Sequence, residues 1–176
     1  YEYNAKVDRV VDGDTVDFIA SIRKSANDAT EKSKTLVSDA TIDITGQSSV
    51  QNTEITLGKS DGYVLKSVSM SVGGYGSYSA SNAIDITDRY DFDNGQRDAF
   101  YDLARVKLKS GQPAPTGSLR ITFDYFNHTA GDYFSVDSYD GVVTYVNIPT
   151  YTSANGDGNF YELRDCVDFR PRIDDT

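Results

Sequence analysis

Arg164, Arg170 and Arg172 stand with Asp165 and Asp168 in one short run, Tyr161–Arg172, with Phe169 among them. A guanidinium is a rigid fork that meets a carboxylate through two parallel bonds, so such a run can fix the register of a partly buried strand, at a desolvation cost. The other chemistry open to it is an anion- or carboxylate-binding patch, ranked below the structural role. Arg164, Asp165, Asp168, Phe169, Arg170 and Arg172 are therefore singled out as a structural motif. The expected terminal strand closes the fold, with Leu163, Val167 and Phe169 giving apolar contacts. Pro171 marks an end or edge, because it lacks the N–H that a central ladder needs. Two acidic loops, Asp91-Phe92-Asp93-Asn94-Gly95 and Asn155-Gly156-Asp157-Gly158-Asn159 with Glu162, place oxygens on alternate residues as calcium loops do. Neither completes a known ligand pattern, so both read as turns and no metal is expected. His128 is the only histidine and Cys166 the only cysteine. A triad needs a nucleophile and an orienting carboxylate, and no glycine-flanked serine accompanies His128, which reads as a loop or strand-end residue. Cys166 reads as buried rather than reactive. No catalytic residue and no cofactor is expected.

Val10-Val11-Asp12-Gly13-Asp14-Thr15-Val16 resembles the opening strand and turn of staphylococcal-nuclease-like domains, in which the aspartate after the glycine helps to hold calcium. Those domains also carry a downstream arginine and an Asp-Thr-Pro-Glu segment, and this chain has no such segment. Asp-Gly is favoured in tight hairpin turns, and the hairpin is the reading adopted. A metal-dependent nuclease or glycan hydrolase stands last among the functions considered.

These residues have to be positioned by strands. From Thr41 onward, apolar and polar side chains alternate with period two, the mark of strands with one buried face. Ile42 and Ile44, Ile55 and Leu57, and Ile84 and Ile86 show it, as do Val64, Val68, Met70 and Val72, read as one face. The clearest run is Leu119, Ile121, Phe123 and Tyr125. Gly73-Gly74-Tyr75-Gly76, the segment 111–117 and Asp140-Gly141 punctuate them as turns. Asn94-Gly95 reads as a turn before a strand reaching Lys109, although Phe100, Leu103 and Ala104 also fit helical spacing. Many short strands with regular turns predict an all-β fold, an antiparallel β-sandwich of immunoglobulin/fibronectin-like or jelly-roll-like kind with an N-terminal arm. The strand-like stretch Val10–Ile22 and a polar run to Lys34 assign 1–38 to the arm and 39–176 to the sandwich. Leu119, Ile121, Phe123, Tyr125, Val106 and Leu108 are expected in the core.

The 176 residues suit one domain with an appended arm, and 38% hydrophobic content with no long apolar run reads as globular, without a membrane span. Lys plus Arg total 17 against 27 Asp plus Glu, a net charge of -10. A surface of that sign repels phosphate backbones and anionic lipids, so neither nucleic acid nor membrane is expected as a partner. One Cys excludes an internal disulfide, and one Cys with one His excludes a Cys/His zinc site, which takes about four ligands. Tyr1 in place of an initiator methionine reads as an excised or processed piece. Thirteen Tyr and eight Phe can line a sugar-binding surface, though aromatics are also preferred strand residues and a core-plus-rim role is favoured.

Four segments together resemble a domain of large virion structural proteins in contractile-tailed phages, notably those of cyanobacteria. They are Met70–Gly76, Asp85–Asp98, Phe123–His128 with Gly131–Tyr139, and Leu163–Asp165 with Asp168–Arg172. The resemblance runs in order from about residue 63 to 172. It implies a β-rich module of a longer polypeptide in a phage tail, baseplate or fibre, located in the virion. Its implied partners are other virion proteins or further copies of itself. A receptor- or carbohydrate-binding tip that takes a host-surface glycan is the alternative, motivated by Tyr75, Tyr78, Tyr133, Tyr139, Tyr145 and Tyr151 near expected loops.

Overall fold

The computed structural model describes residues 29–139, 141–142, 146, 148 and 150–173. Val10–Ile22, the Asp12-Gly13-Asp14-Thr15 turn and the first half of the polar run that begins at Arg23 lie outside the described residues.

Period-two alternation assembles two antiparallel sheets, as expected for a sandwich. The larger takes β1 (Lys34–Ile44), β3 (Gly62–Ser71), β4 (Ala83–Asp85) and β7 (Leu119–His128) in the order β1-β7-β3-β4. The smaller takes β2 (Glu54–Ser60), β5 (Tyr90–Asp93) and β6 (Leu103–Leu108) in the order β2-β6-β5. A single helical turn, α1 (Gln47–Val50), links β1 to β2, and a separate hairpin pairs β8 (Thr150–Thr152) with β9 (Phe160–Glu162).

The facing sides of the two sheets bury one core: Val68, Met70, Leu119, Ile121 and Phe123 from one, and Ile55, Leu57, Tyr90, Ala104 and Val106 from the other. Each fully buried Leu, Ile, Val or Phe contributes about 1.5–3 kcal/mol of transfer free energy, so this contact holds the sheets face to face. Of the expected core, Leu119, Ile121, Phe123 and Val106 are buried, while Tyr125 and Leu108 pack against its rim.

β3 departs from its expected face. Its pairing with β7 slips between Leu65 and Ser67, and the extra residue turns Leu65 toward the core. Val64, on the far side of that slip, is 39% exposed; Val72 is 55% exposed because β3 ends at Ser71. Ile84, on the short edge strand β4, also faces outward, while Ile86 is buried.

The ambiguous 94–108 stretch resolves as a turn followed by strand. Asp93 Oδ1 accepts the Gly95 N–H at 3.0 Å, and Gly95 adopts φ +80 where any Cβ would collide with the Asp102 carbonyl. β1 runs through the 38/39 position that divides arm from sandwich in the sequence, with a pairing shift between Val37 and Ala40. Asp39 sits in that shift at φ 57, its N–H held by Asp124 Oδ1 at 2.8 Å.

Candidate functional site

One end of the sandwich holds a buried polar cluster around Asp61, the single residue between β2 and β3, where the chain passes from one sheet to the other. Asp61 adopts φ 55, a left-handed conformation that Asp and Asn tolerate better than other side chains. Lys34, the first residue of β1, and His128, the last of β7, are direct cross-strand partners and so arrive there together. Lys34 Nζ donates to Asp61 Oδ2 at 2.8 Å, and His128 Nε2 lies 2.7 Å from the same oxygen. Gln96 Nε2 donates to Asp61 Oδ1 at 2.8 Å. The side chains of Lys34, Asp61 and His128 are 0%, 1% and 1% exposed.

Aromatic rings wall the cluster. Lys34 Nζ lies 4.4 Å from the ring centre of Phe134, 4.7 Å from Tyr101, 4.9 Å from Tyr139 and 5.9 Å from Phe126. Ring faces attract an ammonium, which offsets part of its desolvation. Burial alone would lower the Lys34 pKa, but the Asp61 charge, with Tyr139 and Tyr101 alongside, holds it above its ordinary value. Burial alone would raise Asp61, but the His128 bond and the Lys34 charge hold its carboxyl below the usual range. Lys34 and Asp61 thus form an ion pair. For His128 burial wins: its pKa is pushed down despite the Asp61 bond, with the Lys34 charge adding to the effect. Nε2 then carries the proton given to Asp61, and Nδ1 is buried without a hydrogen-bond partner among the described residues.

Tyr101 joins this cluster to the terminal Arg/Asp motif. Its hydroxyl accepts from Lys34 Nζ at 3.1 Å and from an Arg170 guanidinium nitrogen at 3.2 Å, and donates to Asp168 Oδ2. Burial, ahead of its charged neighbours, pushes the phenol well above its ordinary pKa. Arg170 binds both Asp168 oxygens, with its Nε 3.0 Å from Oδ1 and a terminal nitrogen 2.8 Å from Oδ2. Another Arg170 nitrogen donates to the Arg97 carbonyl at 2.6 Å. Arg97 in turn grips Asp93 with two bonds of 2.8 Å. A line of paired charges therefore runs from the buried cluster out to the face of the smaller sheet.

The terminal motif does not close either sheet, contrary to the expected strand. Leu163–Asp165 forms a single 3-10 turn, Phe134 and Asp168 share an isolated antiparallel bridge, and Tyr101 and Arg172 a parallel one. Tyr101 N donates to the Pro171 carbonyl at 2.8 Å and Ile173 N to the Tyr101 carbonyl at 2.9 Å, so the missing Pro171 N–H leaves nothing unsatisfied. Alternating arginines and a proline suit this strap across the sandwich end better than a ladder with neighbours on both sides. Asp168 and Arg170 join the cluster and Arg172 pairs through its backbone. Arg164 lies 3.1 Å from Glu162, away from the cluster, and Asp165 is exposed. Phe169 is 65% exposed, its ring 5.7 Å from Tyr133, and Leu163 and Val167 are also exposed rather than core. Cys166 is exposed too, not buried as expected.

The acidic loop at Asp91–Gly95 lines an open groove of about 460 Å³ with Tyr63, Arg97 and Lys107, and both of those cations sit on Asp93. Among the described residues no three His, Cys, Asp or Glu side chains gather as metal ligands do. Lys34, Asp61, Gln96 and Tyr101 carry the cluster without having been singled out in the sequence. Lys34 ends a polar run and Asp61 precedes a glycine, both ordinary surface signatures. Only the solitary His128 hinted at the place. No protein-family model, curated protein or solved structure matches this chain.

Proposed function

We propose that the chain is a non-enzymatic structural and interaction module of a contractile-tailed phage particle, within a tail, baseplate or fibre polypeptide. The virion assignment rests on the sequence resemblance over residues 63–172. The interaction role rests on one observation: the apolar side chains left most open, Val146, Phe160 and Phe169, all belong to the C-terminal stretch. Tyr151, Tyr161 and Val167, each at least half exposed, extend it. Tyr63 and Val72, 59% and 55% exposed, lie elsewhere, but the C-terminal stretch holds more of the open aromatics, the residue type enriched where proteins meet. The strongest titratable cluster is meanwhile spent on internal pairs, which favours a scaffold over turnover. The partner is another virion protein or a second copy of this chain.

The test has two parts. Peptides of this chain should appear in the inventory of purified particles, and their absence there would reject the virion assignment. Phe160→Ser with Phe169→Ser should weaken association with the particle or with other copies while leaving the melting temperature unchanged; unaltered association would reject the docking role.

A glycan-binding tip has its own support. Tyr151 and Tyr161 are cross-strand partners of the β8–β9 hairpin, half exposed, with near-parallel rings 6.5 Å apart. Such a pair offers flat apolar faces to a sugar ring. Retention on a glycan array that Tyr151→Ala abolishes would favour this reading over the scaffold.

A further inference from the structure

We propose that Lys34 and Asp61 are joined by a covalent amide, formed by the folded chain itself from the ion pair they make at 2.8 Å. This rests on the buried cluster alone and stands whether or not the virion assignment is correct.

A solvated lysine and aspartate do not condense, because water holds both in their charged forms and competes as product. Here both side chains are removed from water and walled by Phe126, Phe134, Tyr101 and Tyr139. Each charge bears the cost of burial, and that cost disappears when the two groups neutralise each other. The reacting atoms are also held in contact by β1 and the β2–β3 corner, which replaces a bimolecular encounter by a positioned intramolecular one.

The surrounding groups are those that the step requires. One proton passes from the Lys34 ammonium to Asp61 Oδ2, leaving a neutral amine beside a neutral acid. The amine lone pair attacks Cγ, and negative charge develops on Oδ1, where the Gln96 amide already donates at 2.8 Å. Nζ then gives up a second proton and Oδ2 departs as water. That proton passes from Nζ to Oδ2 across the 2.8 Å contact, while the His128 Nε2–H, 2.7 Å from Oδ2, holds the leaving oxygen in place by its hydrogen bond. Tyr101, which accepts from Nζ at 3.1 Å, orients the amine. An ammonium and a carboxylate become one amide and one water, with no oxidant or outside reagent. The product pins the start of β1 to the corner between the sheets, and it serves a chain whose single Cys allows no internal disulfide.

Intact-mass spectrometry of the full chain under denaturing conditions reads the result. The expected mass is lower than the sequence mass by one water, with a branched peptide containing Lys34 and Asp61 after proteolysis. Asp61 precedes Gly62, so a backbone succinimide would lose the same mass. Lys34→Arg separates the two, because it removes the amine and keeps the charge: the variant should show its full sequence mass, whereas a succinimide would persist. Wild-type chain at full sequence mass, or water loss retained in Lys34→Arg without a branched wild-type peptide, would overturn the proposal.

Discussion

His128 Nε2 meets Asp61 Oδ2 at 2.7 Å inside a pocket that leaves the imidazole 1% exposed, while the opposite ring nitrogen has no hydrogen-bond partner among the described residues. The ring packs edge-on against Phe134, with centres 4.6 Å apart, and against Tyr101 at 5.4 Å. Lys34 from β1, as long as it keeps its ammonium, and Arg172 from the terminal strap add positive charge nearby. Burial first, then the Lys34 and Arg172 charges, disfavour a second proton on the ring, and Asp61 favours one.

Acid should therefore destabilise the fold through this residue. The folded pKa lies below the ordinary 6.5, so across the interval between them the unfolded chain binds a proton that the folded chain rejects. Stability is present above that interval and is lost as pH falls through it. The denaturant midpoint should drop between pH 7 and pH 5, and His128→Gln should flatten that step. Because the chain has one histidine, NMR reports its titration without overlap; a folded-state midpoint at or above the ordinary value would contradict this.

Removing one member of the buried pair should be costly. Lys34→Met, which also prevents the proposed amide, leaves Asp61 charged and desolvated with only His128 and Gln96 to serve it, a loss of at least roughly 3–5 kcal/mol. Adding Asp61→Asn keeps the left-handed corner and removes the stranded charge, so the double variant should be more stable than Lys34→Met alone. Chemical denaturation of the two variants checks the ordering, which the double variant would reverse if the cluster were solvated.

The strands were legible because burial on one face writes itself into alternate residues: Leu119, Ile121 and Phe123 face the core as the pattern requires. Val64 was misplaced because a slip against β7 leaves no trace in composition, yet it exchanges the two faces, and Val72 because the strand ends one residue before it. The Arg/Asp motif was visible as chemistry, but its geometry was not. Strap and strand share the same alternation, and only Tyr101, 67 residues upstream of Asp168, decides between them. The Lys34–Asp61 cluster was hidden for a related reason. Its members lie 27 and 67 residues apart, and each alone resembles a solvated residue.

Tyr90 offers a substitution that should stabilise. It is 4% exposed, its hydroxyl has no hydrogen-bond partner among the described residues, and burial pushes its pKa up to about 12. Folding strips that hydroxyl of water and returns nothing, a cost of about 1–3 kcal/mol for an unsatisfied buried group. Tyr90→Phe keeps the ring in the core and deletes the orphan. The denaturant midpoint should rise by the equivalent of about 1 kcal/mol. An unchanged or lower midpoint would show that the hydroxyl is satisfied in solution.

Asp168 should stabilise the strap at neutral pH and release it in acid. Burial alone would raise its pKa, but the Arg170 fork, the Tyr101 hydroxyl and the Arg170 N–H lower it to about 2. A carboxylate depressed in this way contributes stability above its unfolded pKa and loses it as pH falls toward the folded one. The loss belongs between about pH 4 and pH 2. The side chains of Asp168 and Arg170 are 26% and 28% exposed, so the pair is neither a free surface bridge, worth about 0–1 kcal/mol, nor a fully buried one. Asp168→Ala should cost about 2 kcal/mol at pH 7, and less at pH 2 where the native carboxyl is half protonated. Because the lost bonds tie residues 168–173 to Tyr101, hydrogen exchange should accelerate at Tyr101 and Ile173 before the sandwich itself opens. Equal destabilisation at pH 7 and pH 2 would show that Asp168 acts through shape rather than charge.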